Sequence, residues 1–130
     1  MIVCATIIKG HKVLLVRHAD LKKPDRGDWL LPAGSVESGE GLEDALKREI
    51  NEELNLRIKV VRKLVEHVDP YTNDRLVNFL CRPLKTRIKT SFELSEAAWF
   101  DSERIQALKN IHASLKQFLI DGLKDNAFKT

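Results

Sequence analysis

The alternation of apolar and polar positions divides the first half of the chain into two strands and a helix. Apolar runs rich in valine and isoleucine predict strands at residues 2–8 and 12–17, separated by KGH. A polar, turn-rich stretch follows. Beyond it, apolar positions recur at helical spacing at Leu42, Ala45, Leu46, Ile50 and Leu54. This stripe predicts an amphipathic helix with one buried face.

The second half of the chain begins with the pattern of a hairpin. Residues 57–68 alternate imperfectly and predict a strand, whereas DPYTND at 69–74 has the composition of a turn. The following RLVNFLCRPL predicts a returning strand that Pro83 ends, because proline cannot donate to a strand ladder.

Helices are expected near the carboxyl end. AAWF near residue 100 predicts a short strand. Asp101 or Ser102 is expected to cap a short helix over 102–108, and a longer helix is expected from about 110 to 123. Strands in hairpins, flanked by helices, predict a mixed sheet covered by helices in an α+β or α/β fold.

Composition changes this outline little. The chain has 130 residues, of which 43% are hydrophobic and 32% charged, and it is expected to form one domain over residues 1–130. The formal net charge of +3 is too small to indicate nucleic acid by itself, although spare positive surface would suit a phosphate-bearing ligand.

Neither a membrane span nor a secretory leader is predicted. No run approaches the roughly 18 apolar residues that a span needs. The apolar amino terminus lacks a basic start and is broken at residues 9–12, as a hairpin turn would break it. Cys4 and Cys81 lie in apolar runs without metal or redox spacing, so buried free thiols and a cytoplasmic location are expected.

Acidic side chains crowd the carboxyl end of the predicted helix, in the sequence REINEE. Glu49, Glu52 and Glu53 share one face at i, i+3 and i+4. Like charges at this spacing cost about 0.2–0.5 kcal/mol, and acids near a helix carboxyl terminus cost about 0.3–1 kcal/mol more. A solvated face explains most such clusters. A divalent cation would also remove the conflict, because Mg²⁺ and Mn²⁺ prefer oxygen ligands.

The loop before the helix completes a recognisable motif. Gly34 begins it, Glu40 follows after five intervening residues, and REINEELNL begins after seven more, at Arg48. This arrangement resembles the Nudix box of the MutT-like Nudix hydrolases, with one departure. Asn55 stands where the family usually has glycine, at a position that ends the helix in a left-handed conformation, and asparagine tolerates that conformation next best.

The resemblance implies a fold, an activity and a metal. The expected fold is the Nudix α/β/α sandwich, with helices on both sides of a mixed sheet. The expected reaction is the cleavage of a nucleoside diphosphate linked to another moiety, by attack of water on phosphorus with Mg²⁺ or Mn²⁺ as cofactor. Candidate substrates are a nucleoside triphosphate, a dinucleoside polyphosphate or a nucleotide sugar.

The resemblance also assigns roles to individual residues. Glu49, Glu52 and Glu53 would bind metal, supported by Glu40 and by the backbone carbonyl of Ala33. Arg48 would orient a neighbouring glutamate through its guanidinium donors. The general base is open between a box glutamate, such as Glu52 or Glu53, and a glutamate from a later loop. Glu93 and Glu96 are the later candidates, and Glu93 matches better the extra glutamate of some members.

Substrate contacts are predicted outside the acidic face. Gly34 lets the backbone approach a ligand closely. Arg17, at the start of the basic stretch 17–26, is a candidate phosphate contact, against the more common meaning of a solvated loop. Tyr71 is a candidate for stacking on a base, against the tip of a hairpin, and Trp29 is expected in the core or the cleft wall.

Two other functions compete with hydrolysis. A catalytically silent Nudix domain that senses a nucleotide would have no reason to keep every acid. An RNA-end hydrolase would favour a basic stripe that this sequence lacks, so a small nucleotide rather than long nucleic acid is the expected partner. A homodimer stays open, because one sequence does not show the apolar surface that would support it.

Overall fold

The acidic helix lies against one face of a mixed β-sheet. A computed structural model describes residues 1–18, 27–69, 72–84, 87–90 and 94–129, with the backbone alone at 94 and 95. The strands are β1 (Ile2–Lys9), β2 (Lys12–His18), β3 (Ala33–Ser35), β4 (Ile58–Val68), β5 (Arg75–Pro83) and β6 (Leu94–Phe100). The helices are α1 (Leu42–Leu54), α2 (Ser102–Ala107) and α3 (Ala113–Lys124).

The sheet is mixed, as the sequence predicts. Its strand order is β4-β5-β1-β2-β6, and β3 pairs separately with β1. β1 and β5 are parallel, whereas β1 is antiparallel to β2 and β3, β2 to β6, and β4 to β5. β1 therefore lies at the centre, with β5 on one side and β2 and β3 on the other.

Helices cover both faces of this sheet and define two core clusters. On one face, the α1 stripe packs with side chains of β1 and β5, including Val3, Ala5, Ile7 and Phe79. On the other face, Ile105, Leu119 and Phe128 of the carboxyl-terminal region pack with Ile8 and Leu80. The α/β/α sandwich predicted from the sequence is confirmed.

Helix α1 ends at Asn55 in a left-handed conformation, as predicted from the sequence. Asn55 has φ 50° and ψ 37°, in the left-handed region, and its backbone N–H donates to the carbonyl of Asn51. The last turn holds no basic residue. The acids therefore face the negative end of the helix dipole without a local cation from that turn.

Several bounds differ from the sequence prediction. β3 lies in a stretch expected to be irregular, because three residues carry too little periodicity to announce a strand. β6 begins before AAWF, at Leu94, and α3 begins at Ala113, later than expected. The imperfect alternation of β4 has a physical cause. Its pairing with β5 shifts register between Val60 and Arg62 and between Lys63 and Val65.

The cysteines are buried free thiols, as expected from the sequence. Burial raises the pKa of Cys81 to about 12 and raises that of Cys4 as well, so neither thiol ionises readily. Among the described helices, none is both long and apolar enough to cross a membrane.

Candidate active site

Arg48 is the hub of the acidic face of α1. Its Nε and Nη2 donate to the two carboxylate oxygens of Glu40, at 2.7 and 2.9 Å. Nη1 donates to Glu49 at 3.0 Å and, more weakly, to Glu52 at 3.4 Å. Nη2 also donates to the backbone carbonyl of Ser35, at 3.1 Å. One guanidinium therefore ties α1 to the loop before it and partly neutralises three carboxylates.

These contacts change the acidity of two glutamates in opposite directions. The hydrogen bonds from Arg48 lower the pKa of Glu40 to about 2, so Glu40 is ionised at any physiological pH. Burial raises the pKa of Glu49, whose side chain is only 15% exposed, and Arg48 counteracts only part of this rise. The negative charge of Glu49 is thus only partly compensated by Arg48.

Gly34 makes room for Glu49. A Cβ atom built on Gly34 would lie 2.0 Å from Cδ of Glu49 and 2.3 Å from one of its carboxylate oxygens. A side chain at residue 34 would displace Glu49, so glycine lets the backbone of β3 lie against the carboxylate where it now stands. Gly34 therefore matters because its missing side chain leaves room for Glu49, and not because of an unusual backbone dihedral.

The Ala33 carbonyl is oriented for a role outside the β1–β3 pairing. Ala33 lies opposite Cys4 in the pairing of β3 with β1. The backbone N–H of Ala5 donates to the Pro32 carbonyl, and that of Val36 donates to the Met1 carbonyl. Hydrogen-bonded pairs alternate along the ladder, so Ala33 is at a position that is not hydrogen-bonded to β1. In an antiparallel pair, the residues at such positions direct their N–H and C=O groups away from the partner strand. Ala33 therefore directs its carbonyl away from β1.

The described residues offer the donors of a divalent cation site without forming a finished one. No three histidine, cysteine, aspartate or glutamate side chains of the described ranges converge closely enough to hold an ion in this arrangement. The donors on this face of α1 are carboxylate oxygens, which Mg²⁺ and Mn²⁺ prefer. The space that Gly34 leaves for Glu49 fits such a site. Glu52 is 58% exposed, so it has room to turn toward a cation.

A cavity of about 440 Å³ lies on the other side of β3 from Glu49. Ala33, Gly34 and Ser35 form part of its wall. The remaining walls come from β1, β4, β5, the start of α3, the end of β2 and the segment before β3. Most of their surface is apolar, with side chains such as Ile2, Leu30, Val65, Leu76, Leu115 and Phe118. The polar side chains among them include His18, His67, Asp69, Thr72 and Ser114. Its volume lies within the roughly 300–1,000 Å³ typical of small-molecule sites. The same three residues thus border both the acidic face and the cavity.

Two other candidates from the sequence, Arg17 and Trp29, contact each other. Arg17 pairs with Glu96 and stacks on the ring of Trp29, with its Cζ 4.8 Å from the ring centroid. Trp29 is buried against Phe100. Glu93, Tyr71 and most of the basic stretch 17–26 lie outside the described residues, so their assigned roles stay predictions.

Sequence reasoning missed two groups near these sites. Glu37 lies beside Arg48, with its Oε1 3.7 Å from Nη1, and its backbone N–H donates to Glu40 at 3.0 Å. Asn78 is a buried polar residue on the cavity wall. A signal for Asn78 was present in the sequence, because it interrupts the apolar run LVNFLC.

Comparison with known proteins agrees with the motif and the fold. Residues 1–121 match the family model of the NUDIX domain. Over 129 residues the chain is 31% identical to the NAD-capped RNA hydrolase NudC of Haemophilus influenzae (strain PittGG), covering 88% of this chain and 49% of that protein. It is 42% identical over 94 residues to the human 8-oxo-dGDP phosphatase NUDT18, covering 68% of this chain and 28% of NUDT18. The chain belongs to the Nudix hydrolase family.

The fold has close counterparts among solved structures. A NUDIX hydrolase from Nitrosomonas europaea superposes with a TM-score of 0.83 at 25% identity, over 99% of this chain and 72% of that one. The chain spans half or less of the length of the curated relatives named above.

Proposed function

We propose that this protein is a divalent-metal-dependent pyrophosphohydrolase that cleaves a nucleoside diphosphate linked to another moiety. The proposal rests on the position of β3 between the acidic face and a cavity. On one side Gly34 lies against the Glu49 carboxylate. On the other side Ala33, Gly34 and Ser35 border a largely apolar cavity. A substrate with a phosphoric anhydride at the glutamates and an apolar moiety in the cavity would use both sides.

The acidic face has a physical role in this reaction. Mg²⁺ or Mn²⁺, held by Glu49, Glu52, Glu53 and the Ala33 carbonyl, would neutralise the phosphates and acidify the attacking water. Arg48 keeps Glu40 and Glu49 in fixed orientations through its hydrogen bonds. It acts as a positioning residue, because its donors are directed at carboxylates and at the Ser35 carbonyl.

The general base is assigned to the box, to Glu52 or Glu53, with Glu93 as the alternative. Glu96 is less suited, because its carboxylate pairs with Arg17. Comparing Glu93→Gln with Glu96→Gln checks this assignment. Equal, mild losses of kcat place the base in the box, whereas a loss of about 100-fold or more for Glu93→Gln alone moves the role to the later loop.

The names of the relatives widen the substrate panel. NudC and NUDT18 carry names that specify NAD-capped RNA and 8-oxo-dGDP, respectively. The panel therefore includes both, together with nucleoside triphosphates, dinucleoside polyphosphates and nucleotide sugars. Each compound is incubated with Mg²⁺, with Mn²⁺ or with EDTA, and nucleoside monophosphate release is followed by ion-exchange chromatography. No turnover of any compound at high protein concentration would contradict the proposal.

Glu53→Gln tests the metal site directly. The substitution removes one negative charge at nearly constant volume, and we expect kcat to fall by about 100-fold or more, as for loss of a principal electrostatic group. Glu43→Gln is the matched control, because Glu43 lies in the first turn of the same helix and is exposed. Circular dichroism checks the fold of both variants. Full activity of Glu53→Gln would show that Glu53 is not part of the site.

A further inference from the structure

A buried polar pair lies in the sheet beneath the cavity. Thr6 of β1 is fully buried and Asn78 of β5 is 2% exposed. The Thr6 hydroxyl donates to Oδ1 of Asn78 at 2.9 Å. Buried polar side chains cost free energy unless their hydrogen bonds are made, so an amide at this position needs a reason. The Thr6 hydroxyl satisfies the oxygen of the amide and fixes which way the amide faces.

The amide nitrogen of Asn78 is available to donate a hydrogen bond to a ligand in the cavity. Asn78 lines the cavity together with its strand neighbour Leu76, whereas Thr6 does not. Among the residues that the structure describes, none accepts a hydrogen bond from Nδ2 of Asn78. The amide nitrogen carries two N–H donors. Asn78 thus adds an amide donor, held in orientation by Thr6, to a cavity wall whose surface is mostly apolar.

The cavity suits the apolar part of the substrate rather than its phosphates. Its walls near Asn78 are side chains such as Leu76, Val65 and Phe118, which offer flat and aliphatic surface. Phosphates would instead be drawn to cations on the acidic face across β3. A nucleobase combines a flat apolar body with polar edges, which is the chemistry that such a pocket recognises.

We propose that Asn78 is a specificity-determining residue that donates from Nδ2 to a keto oxygen of a nucleobase in this cavity, and that Thr6 positions it. The bases selected are those with a keto oxygen at C6 of a purine or C4 of a pyrimidine, such as hypoxanthine, guanine or uracil. Adenine and cytosine present an amino group at the equivalent position, so donor would face donor. This inference rests on the proposed function for the placement of the phosphates and adds the class of base.

Binding of nucleoside monophosphates tests the inference without any turnover. Inosine monophosphate and purine riboside monophosphate differ by the keto oxygen at C6 and the accompanying proton at N1. Titration calorimetry is expected to show tighter binding of inosine monophosphate by wild-type protein, on the order of tenfold, the value of one good hydrogen bond. Adenosine monophosphate is expected to bind as weakly as the purine riboside compound, or more weakly.

Substitutions distinguish a hydrogen bond from Asn78 to the base from an effect of side-chain packing in the cavity. Asn78→Leu keeps the approximate volume and is expected to remove the tenfold difference, leaving both nucleotides equally weak. Thr6→Val removes the hydroxyl at constant shape and is expected to reduce the difference, because the amide is then free to turn. Thr6→Ser restores the hydroxyl and is expected to restore the difference. Asn110→Leu is the control, because the Asn110 amide donates to the Gly27 carbonyl and does not line the cavity.

The outcomes distinguish the inference from the proposed function. Equal affinities in the wild-type protein, no binding of either nucleotide at millimolar concentration, or a preference that survives in Asn78→Leu would overturn the inference. If Asn78→Leu fails to fold, the comparison of Thr6→Val with Thr6→Ser decides the same question. A keto preference without hydrolysis of any substrate would contradict the proposed function alone, and hydrolysis without a keto preference would contradict the inference alone.

Discussion

Gly34 and Glu49 are a pair whose sequence separation hides their contact. Gly34 matters because the Glu49 carboxylate occupies the space where a side chain would lie, and its backbone does not have the positive φ that would itself favour glycine. Any larger residue must push Glu49 away from β3. Since Glu49 is a largely buried carboxylate that accepts a hydrogen bond from Arg48, its displacement would break a contact within the acidic face.

Gly34→Ser is therefore expected to impair catalysis more than folding. The new Cβ would fall 2.0 Å from Glu49 Cδ, so the carboxylate must move and kcat/KM is expected to fall by about 100-fold, as for a misplaced catalytic group. Gly41→Ser is the control, because a Cβ there meets its nearest atom at an ordinary 3.7 Å and serine suits a helix N-cap. Steady-state kinetics and thermal melts measure both. Unchanged kcat/KM in Gly34→Ser would show that this contact is not needed for catalysis.

Arg48 and Glu40 show how a pKa reports the organisation of the same face. The pKa of Glu40 is lowered because its charged form accepts two hydrogen bonds from Arg48. A lowered carboxyl pKa contributes stability that is present above the unfolded value of about 4.5 and is lost as the pH falls toward the folded value of about 2. At neutral pH Glu40 is therefore ionised, and its hydrogen bonds with Arg48, which join α1 to the preceding loop, are fully formed.

At the scale of elements, the end of α1 is set by one residue. Asn55 adopts the left-handed conformation that glycine adopts without steric cost. Because the cap lies directly after the glutamate cluster, it fixes where the acidic turn stops and where the chain departs toward β4. The family's usual glycine and this asparagine thus solve the same geometric problem at different cost.

Two substitutions at Asn55 are expected to change stability in opposite directions. Asn55→Gly should stabilise the protein by roughly 0.5 kcal/mol, because it removes the strain of a positive φ, partly offset by unfolded-chain entropy. Asn55→Ala should destabilise it by about 1 kcal/mol, because alanine tolerates this conformation poorly. Urea unfolding measures both, with kcat/KM expected to stay within about twofold of wild type. Equal stability of the two variants would contradict the left-handed cap.

Elements with strong local periodicity were predictable from the sequence, whereas pairing-dependent ones were not. The stripe from Leu42 to Leu54 specified α1, because helical spacing is a local signal. Ala33–Ser35 becomes a strand only because β1 lies beside it, with Val3 opposite Gly34. No pattern within three residues carries that information, which requires the fold.

The candidate site divides in the same way. The glutamates on α1 follow from spacing and family resemblance, since one helix places them on one face. The hydrogen bonds between Arg48 and Glu40 cross a loop, and the cavity wall at Asn78 requires β1, β5 and α3 together. Such contacts join residues that are distant in sequence, so periodicity does not reveal them.

At the scale of the whole molecule, the sandwich separates two chemical environments with a single short strand. Carboxylates cluster on the α1 side of β3, and an apolar cavity lies on the α3 side. Each layer supplies one half of what an amphipathic phosphorylated substrate would need. The acidic half carries uncompensated charge, so the stability of the entire domain should respond to a cation that binds there.

Mg²⁺ or Mn²⁺ is expected to raise the melting temperature of the wild-type protein. A ligand that binds only the folded state at 100 times its Kd adds about 2.7 kcal/mol, which corresponds to roughly 10 °C for a domain of this size. Glu49→Gln should lose more than half of this gain, because a neutral amide is a poorer cation ligand, whereas exposed Glu43→Gln should retain it. Differential scanning calorimetry with metal and then with excess EDTA measures the shift and its reversal. An equal rise in melting temperature in Glu49→Gln and wild type would show that the cation binds elsewhere. A cation held by the Glu49 carboxylate must stabilise the domain less when that carboxylate is replaced by an amide.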